Sequence, residues 1–378
     1  MSRPVLRTPL CDLLGCEYPI MLAGMGSGGS PPELVAAVSN AGGFGVLGAT
    51  GFTSEATREV IRKTRHLTDM PFGIDLLLPA SLAESPESRS EVLALIQAEY
   101  PKHWAFVQGL HKEYNLPAVQ DTEEYVSVAS SLVREQVDVI IEERVPLFCA
   151  ALGDPSWVVP KAHAVGMKVL GLAGNARNAL RQKASGVDII VAQGYEAGGH
   201  VGRIANFVLV PEVVDAVLPV PVVAAGGIAD GRTVAAALCL GAVGVWCGTA
   251  FLFSTETTIG RGKQEQLARG TTEEFVVSRS YTGKTSRMYR NTFLQRWEES
   301  GLEPLPMPLQ GVLVGSFVKA ALAASRWDLV NNPAGQVAGR LRELRPARQI
   351  LEQMVEETVD VLAVLPSRIT HGIRSPAH

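Results

Sequence analysis

The sequence predicts an α/β fold, a closed (β/α)8 barrel of the TIM type, with an insertion after its third strand and a helical cap at its C-terminal end. Three observations predict it. Eight short apolar runs alternate with helical segments, spaced by roughly 20–35 residues apart from one longer gap, and such alternation calls for a parallel sheet. Several of the runs stop abruptly in glycine-rich turns, as strand ends at a barrel mouth do. The chain has 378 residues, 47% hydrophobic and 19% charged, which is enough apolar material for a large core.

Taken in order, Pro19–Ala23 is the first apolar run, followed by Gly24-Met25-Gly26-Ser27-Gly28-Gly29. Pro31-Pro32 opens a helix over Glu33–Ala41, closed by Gly42-Gly43. Phe44–Ala49 is the second strand, and Ser54 is the expected cap of a polar helix ending near His66. Phe72–Leu78 is the third strand and carries Asp75 inside an apolar run. A buried carboxylate needs a partner, either a structural hydrogen bond or a ligand.

Residues 79–120 break the rhythm. Ser85, Pro86, Glu87 and Ser88 start a charged helical stretch, and Tyr100, Trp104, Phe106 and Tyr114 follow at irregular spacing. This reads as an insertion, a lid or an interface, whose aromatics pack against the body. The alternation then resumes with helix Thr122–Glu142, strand Pro146–Ala151, helix Pro155–Ala164, strand Met167–Leu172, helix Ala176–Ser185 and strand Asp188–Ala192. After the loop Gln193–His200 come a short helix at Pro211–Val217, strand Pro221–Ala225, helix Thr233–Leu240 and strand Val243–Cys247. No charge occurs from Thr233 to Thr255, but Gly241, Gly244 and Gly248 punctuate that stretch, so it reads as helix and strand and not as a membrane span.

Residues 1–255 thus form the expected barrel, insertion included, and 256–378 a mainly helical cap over its mouth. The cap holds helices at Lys263–Arg269, Gln310–Ser325 and Ala347–Val364, with few strands. The rival fold is a Rossmann sheet. Gly24, Gly26 and Gly29 meet its glycine spacing, but no Asp or Glu occurs between Glu33 and Glu55 to take the ribose.

The net charge of −4 and the lack of a basic block argue against nucleic acid. Cys11, Cys16, Cys149, Cys239 and Cys247 form no CxxC pair and no metal spacing. Their odd number and the absence of an apolar signal segment point to the cytoplasm.

The unusual loops all fall at the C-terminal strand ends, which share one mouth. Gly226-Gly227 after strand seven and Gly248-Thr249 after strand eight occupy the usual phosphate corner of this fold. Across the mouth, Gly198-Gly199 precedes His200, so that a flat ligand can lie against the main chain beneath an imidazole. A planar cofactor bearing a phosphate fits both features. No lysine has a pyridoxal-like setting and no Asp/Glu/His cluster has metal spacing, so flavin mononucleotide (FMN) is the best match.

The chain resembles the nitronate monooxygenase family, formerly the 2-nitropropane dioxygenases. The likeness is carried by Pro19–Met25, Asn40–Gly45, Ala192–His200, Ala224–Ile228 and Gly248–Phe251, and in the cap by Tyr281–Lys284, Arg287, Asn291 and Ala334–Gln336. The Glu196–His200 motif is shared with flavin-dependent enoyl-acyl carrier protein reductases. The resemblance implies that Ala23, Gly24 and Met25 run beside the flavin ring. It implies that Asp75, Gln193, Gly198 and Gly199 contact the cofactor, that Gly226, Gly227, Gly248 and Thr249 hold its phosphate, and that His200 is catalytic. The chain departs from the family in reading Ala-Gly-Met where Ala-Pro-Met is common, and in Asp75 where asparagine is common.

The expected activity is oxidation of alkyl nitronates with O2 to carbonyl compounds and nitrite. The alternative is an NAD(P)H-dependent enoyl-thioester or quinone reductase on the same cofactor. The partners expected are a small-molecule substrate and O2, with no nucleic acid and no membrane; a homodimer is compatible with the chain. The ordinary histidine pKa of about 6.5 allows His200 to act either as a base or as a cation.

Overall fold

In the computed structural model, residues 4–78, 88–119, 126 and 129–368 are described. The apolar runs become strands β1 (Ile20–Leu22), β2 (Gly45–Gly48), β3 (Phe72–Leu78), β4 (Leu147–Gly153), β5 (Lys168–Ala173) and β6 (Ile189–Gln193). After a two-residue β7 (Gly199–His200), β8 (Val222–Ala225) and β9 (Gly244–Cys247) complete the set. Eight of these pair in parallel in the order β1-β9-β8-β6-β5-β4-β3-β2. The sheet closes where Phe44 donates to the Ile20 carbonyl at 3.0 Å and Leu22 donates to the Phe44 carbonyl at 2.9 Å.

Side chains alternate across each strand. One set, including Met21, Val46, Leu170, Val191 and Val223, fills the barrel, and Leu10, Cys11 and Leu14 of α1 (Pro9–Leu14) join that cluster. The other set, including Leu22, Leu47, Ile74 and Ile190, packs outward. It meets α2 (Pro32–Asn40), α3 (Ser54–Leu67) and the later barrel helices. The N-cap of α3 is Thr53 and not Ser54: the Thr53 hydroxyl accepts from the Ala56 N–H at 3.1 Å.

The insertion contributes α4 (Arg89–Glu99) and α5 (Pro101–Glu113). The expected helical start at Ser85–Glu87 lies outside the described residues, as does the first part of the helix expected from Thr122; α6 is described over Ser130–Glu142. Around the barrel follow α7 (Val159–Ala164), α8 (Ala176–Ala184), α9 (Asn206–Val217) and α10 (Gly231–Cys239). Helix α9 starts at Asn206 and not at Pro211, because its first N–H is received by the Glu196 carboxylate at 3.1 and 3.2 Å. That cap comes from another loop.

The C-terminal part contains α11 (Arg261–Arg269), strands β10 (Phe275–Ser278) and β11 (Ser286–Tyr289), and helices α12 (Thr292–Ser300), α13 (Leu309–Ala323) and α14 (Ala347–Arg368). Val92 and Ile96 of α4 and Val107 and Leu110 of α5 share a hydrophobic core with Phe293, Trp297 and Phe317 of α12 and α13. Helix α14 returns to the barrel, where Leu351, Met354 and Val355 join the outer core. The strands here exceed the expectation of a helical cap: β10, β11 and β7 form an antiparallel sheet in which Ser286 pairs with His200 and Arg287 with Gly199. Among the described residues no helix is long and apolar enough to cross a membrane, and no three His, Cys, Asp or Glu residues are grouped to hold a metal.

Candidate active site

A cavity of about 520 Å³ opens at the C-terminal ends of the barrel strands. It is lined by Ala23, Gly24 and Met25 after β1, Asp75 on β3, Gln193 on β6, and Gly198, Gly199 and His200 beyond it. Gly226, Gly227, Gly248 and Thr249 line its other side. The residues singled out in the sequence are therefore brought together around one space.

The loop Gln193–His200 is fixed from three directions. Gln193 donates from its side-chain amide to the His200 carbonyl at 2.5 Å. The Glu196 carbonyl receives the Gln336 N–H at 3.0 Å, which ties the loop to the C-terminal part of the chain. Arg287 is 2% exposed and supplies the third anchor. Its guanidinium donates to the Tyr195 carbonyl at 2.9 and 3.2 Å and to the Phe275 carbonyl at 2.6 Å, and it lies 4.4 Å over the Tyr195 ring. Tyr195 is thus engaged by β11, and Arg287 belongs to neither the cavity lining nor a solvated face.

His200 has a buried Nε2 with no hydrogen-bond partner. Burial, aided by the Lys284 charge, pushes its pKa down to about 4. Of the two states open to an ordinary histidine, the fold therefore selects the neutral imidazole at physiological pH. A buried, unpartnered nitrogen facing a cavity is a ligand-seeking group.

Gly226 and Gly227 have φ of +102° and +71°, a left-handed turn that side chains disfavour. The turn leads into α10, but the start of that helix is already satisfied. Asp230 accepts from the Thr233 N–H at 3.0 Å, and Glu357 accepts from the Gly231 N–H at 2.9 Å. An anion at this corner would meet instead the N–H groups of Gly227 and Ile228 and those opening the turn at Thr249 and Ala250. None of these has a hydrogen-bond partner among the described residues. The Thr249 hydroxyl accepts from the Gly335 N–H at 2.8 Å and keeps its own proton to donate.

Asp75 is 5% exposed and stands in register between Gly48 of β2 and Cys149 of β4. A Cβ on Gly24 would lie 2.2 Å from the Asp75 Cβ, so glycine at 24 makes room for the acid. The carboxyl has no hydrogen bond among the described residues, and burial holds its pKa well above the usual range. Burial thus disfavours its charged form, and the side chain lines the cavity. Between the unfolded and folded pKa values the native state keeps a proton that the unfolded chain has released, so stability falls as pH rises through that window. Asp75→Asn is expected to remove this fall and to be more stable than wild type at neutral pH. Urea unfolding of both proteins from acid to neutral pH checks it; parallel curves would refute it.

Lys263 and Asn332 are among the cavity-lining groups that escaped the sequence reading. Lys263 is 6% exposed, with its pKa lowered by burial to about 8. Asn332 lines the same region and donates to the Lys263 carbonyl at 3.0 Å. His163, by contrast, pairs at the surface with Asp188 at 2.9 Å.

The mouth of this closed parallel barrel combines unpartnered backbone N–H groups, a glycine-backed wall and an orphan imidazole around one cavity. The model of the family described as nitronate monooxygenase matches residues 7–357. A Mycobacterium tuberculosis protein named as a monooxygenase is 38% identical over 374 residues, covering 95% of this chain and 98% of that one. A Staphylococcus aureus (strain Newman) protein named as a nitronate monooxygenase is 32% identical, covering 93% and 98%. Among solved structures, nitroalkane oxidase from Streptomyces ansochromogenes superposes with a TM-score of 0.79 at 28% identity over 94% of this chain and 99% of that one. FabK from Thermotoga maritima superposes with 0.76 at 31% identity over 96% and 100%. The chain belongs to the nitronate monooxygenase family, and is thereby a flavin-dependent oxidoreductase.

Proposed function

We propose that the protein is an FMN-dependent nitronate monooxygenase, converting alkyl nitronates and O2 to carbonyl compounds and nitrite. The observation that carries this reading is the charge state of the cavity. Its one carboxyl among the described lining residues, Asp75, is buried and pushed up in pKa, its histidine is pushed down to about 4, and Lys263 lines the same cavity. Such a cavity favours an anion, and a nitronate is anionic where an enoyl thioester or a quinone is not.

In this reading Ala23–Met25 and Gly198-Gly199 bound the ring, with Gln193 and Asp75 offering hydrogen bonds to it. The N–H groups around Gly227 and Thr249 receive the phosphate. The flavin, when bound, supplies the electron transfer and the oxygen chemistry. The protein orients the substrate: His200 Nε2 either donates to a nitronate oxygen or, as a base, removes the proton of a neutral nitroalkane. The cap excludes water around it.

The test is to mix the holoenzyme, without oxygen, with a nitronate, NADH or NADPH in parallel. Bleaching of the flavin by the nitronate alone is the expected result. Rapid bleaching by a nicotinamide and none by the nitronate would make the enzyme a reductase.

A further inference from the structure

We infer that Lys263 is the built-in counter-ion for an oxyanion of the bound ligands, either the phosphate of the cofactor or the anionic end of the substrate. This rests on the reading of the cavity as a flavin site.

Lys263 lies in the first turn of α11, and its side chain reaches the cavity through apolar surroundings. Leu267, one turn on, is fully buried in a cluster with Leu252, against which Met25 and Ile259 also pack. The backbone of the lysine is fixed by the Asn332 amide at 3.0 Å. The ammonium itself has no hydrogen bond or ion pair among the described residues. Its helix neighbours are committed elsewhere: Glu265 binds Arg261 at 3.0 Å, and Gln266 accepts from Asn332 at 3.1 Å. Asp75, the one carboxyl among the described lining residues, forms no ion pair with it. A lysine that served only packing would carry an avoidable desolvation cost at this depth. One that meets an anion when the site fills would not, because the pair forms where water is excluded.

Two titrations on the full-length protein separate the two sources. In the first, flavin-depleted wild type and Lys263→Met are titrated with FMN and with riboflavin. If the phosphate is the partner, Lys263→Met loses about tenfold or more in FMN affinity and nothing for riboflavin. In the second, inorganic nitrite is titrated into FMN-loaded protein and followed by the flavin spectrum. If the substrate end is the partner, FMN affinity holds and nitrite affinity falls by about tenfold or more. Unchanged affinity for both anions overturns the inference.

A variant that retains a permanent charge removes the dependence on Lys263→Met folding. Wild-type affinity for the anion should decline above about pH 8, where the free lysine loses its proton, while Lys263→Arg stays level. A level wild-type profile also overturns it. Should the wild type bind no flavin, the flavin reading falls. Inorganic phosphate then decides for Lys263: protection of wild type and Lys263→Arg but not of Lys263→Met against thermal unfolding supports the inference, and protection of all three alike overturns it.

Discussion

Replacing His200 by asparagine leaves a yellow flavoprotein whose turnover falls by about 10²–10⁴-fold, the span of one lost acid–base group. The cofactor should remain because the cradle proposed for it is backbone: the N–H groups around Gly227 and Thr249 do not depend on the imidazole. Turnover should fall because Nε2 is the buried nitrogen at this face of the cavity left without a partner. The amide cannot take up a proton. Visible absorbance of the purified variant gives cofactor content, and stopped-flow reduction by a nitronate gives the rate; full activity would remove His200 from the mechanism. The neutral imidazole has a second consequence. Between pH 6.5 and about 4 the unfolded chain binds a proton at His200 that the native state refuses, so wild-type stability rises with pH across that window. His200→Asn should lack that part of the slope.

Arg287→Met is expected to lower stability by about 2–6 kcal/mol, because two carbonyls lose a buried charged donor together. Those carbonyls belong to Tyr195 and Phe275, so the damage falls on the loop that carries His200. The variant should therefore release its flavin as well as unfold at lower urea. Arg287→Lys should restore little, since one ammonium on a flexible stem cannot reproduce three donations in the guanidinium plane. Urea denaturation and flavin retention through gel filtration measure both effects. A variant as stable as wild type with its flavin intact would show that β7 and β11 hold the loop unaided.

The barrel was legible because strands buried on both faces appear as unbroken apolar runs, and because glycines mark their C-terminal ends. Gly226-Gly227 and Gly198-Gly199 advertise backbone conformation, which is local and visible in sequence. What was hidden depends on distant partners. Strand β11 reads Ser-Arg-Met-Tyr, too short and polar to announce itself, and its partner is the dipeptide Gly199-His200. The start of α9 was obscured because Glu196 caps it from outside. Lys263 sits in Arg-Gly-Lys-Gln-Glu-Gln, a run that looks like a solvated helix face. Only the tertiary position of α11 buries it. The direction of the Asp75 carboxyl was likewise undecided between a structural partner and a ligand, until the strand register set it against Gly24.

The pairing of β7 with β11 also constrains how the protein comes into being. All eight barrel strands have been synthesised by Cys247, yet His200 lacks its ladder partner until Ser286 emerges, and the Glu196 carbonyl lacks its donor until Gln336 does. Glu357, which accepts from the Gly231 N–H, is made later still. The loop that carries His200 therefore gains its anchors only after the last barrel strand has been made, and a polypeptide halted after Cys247 has all eight barrel strands without the contacts that fix that loop.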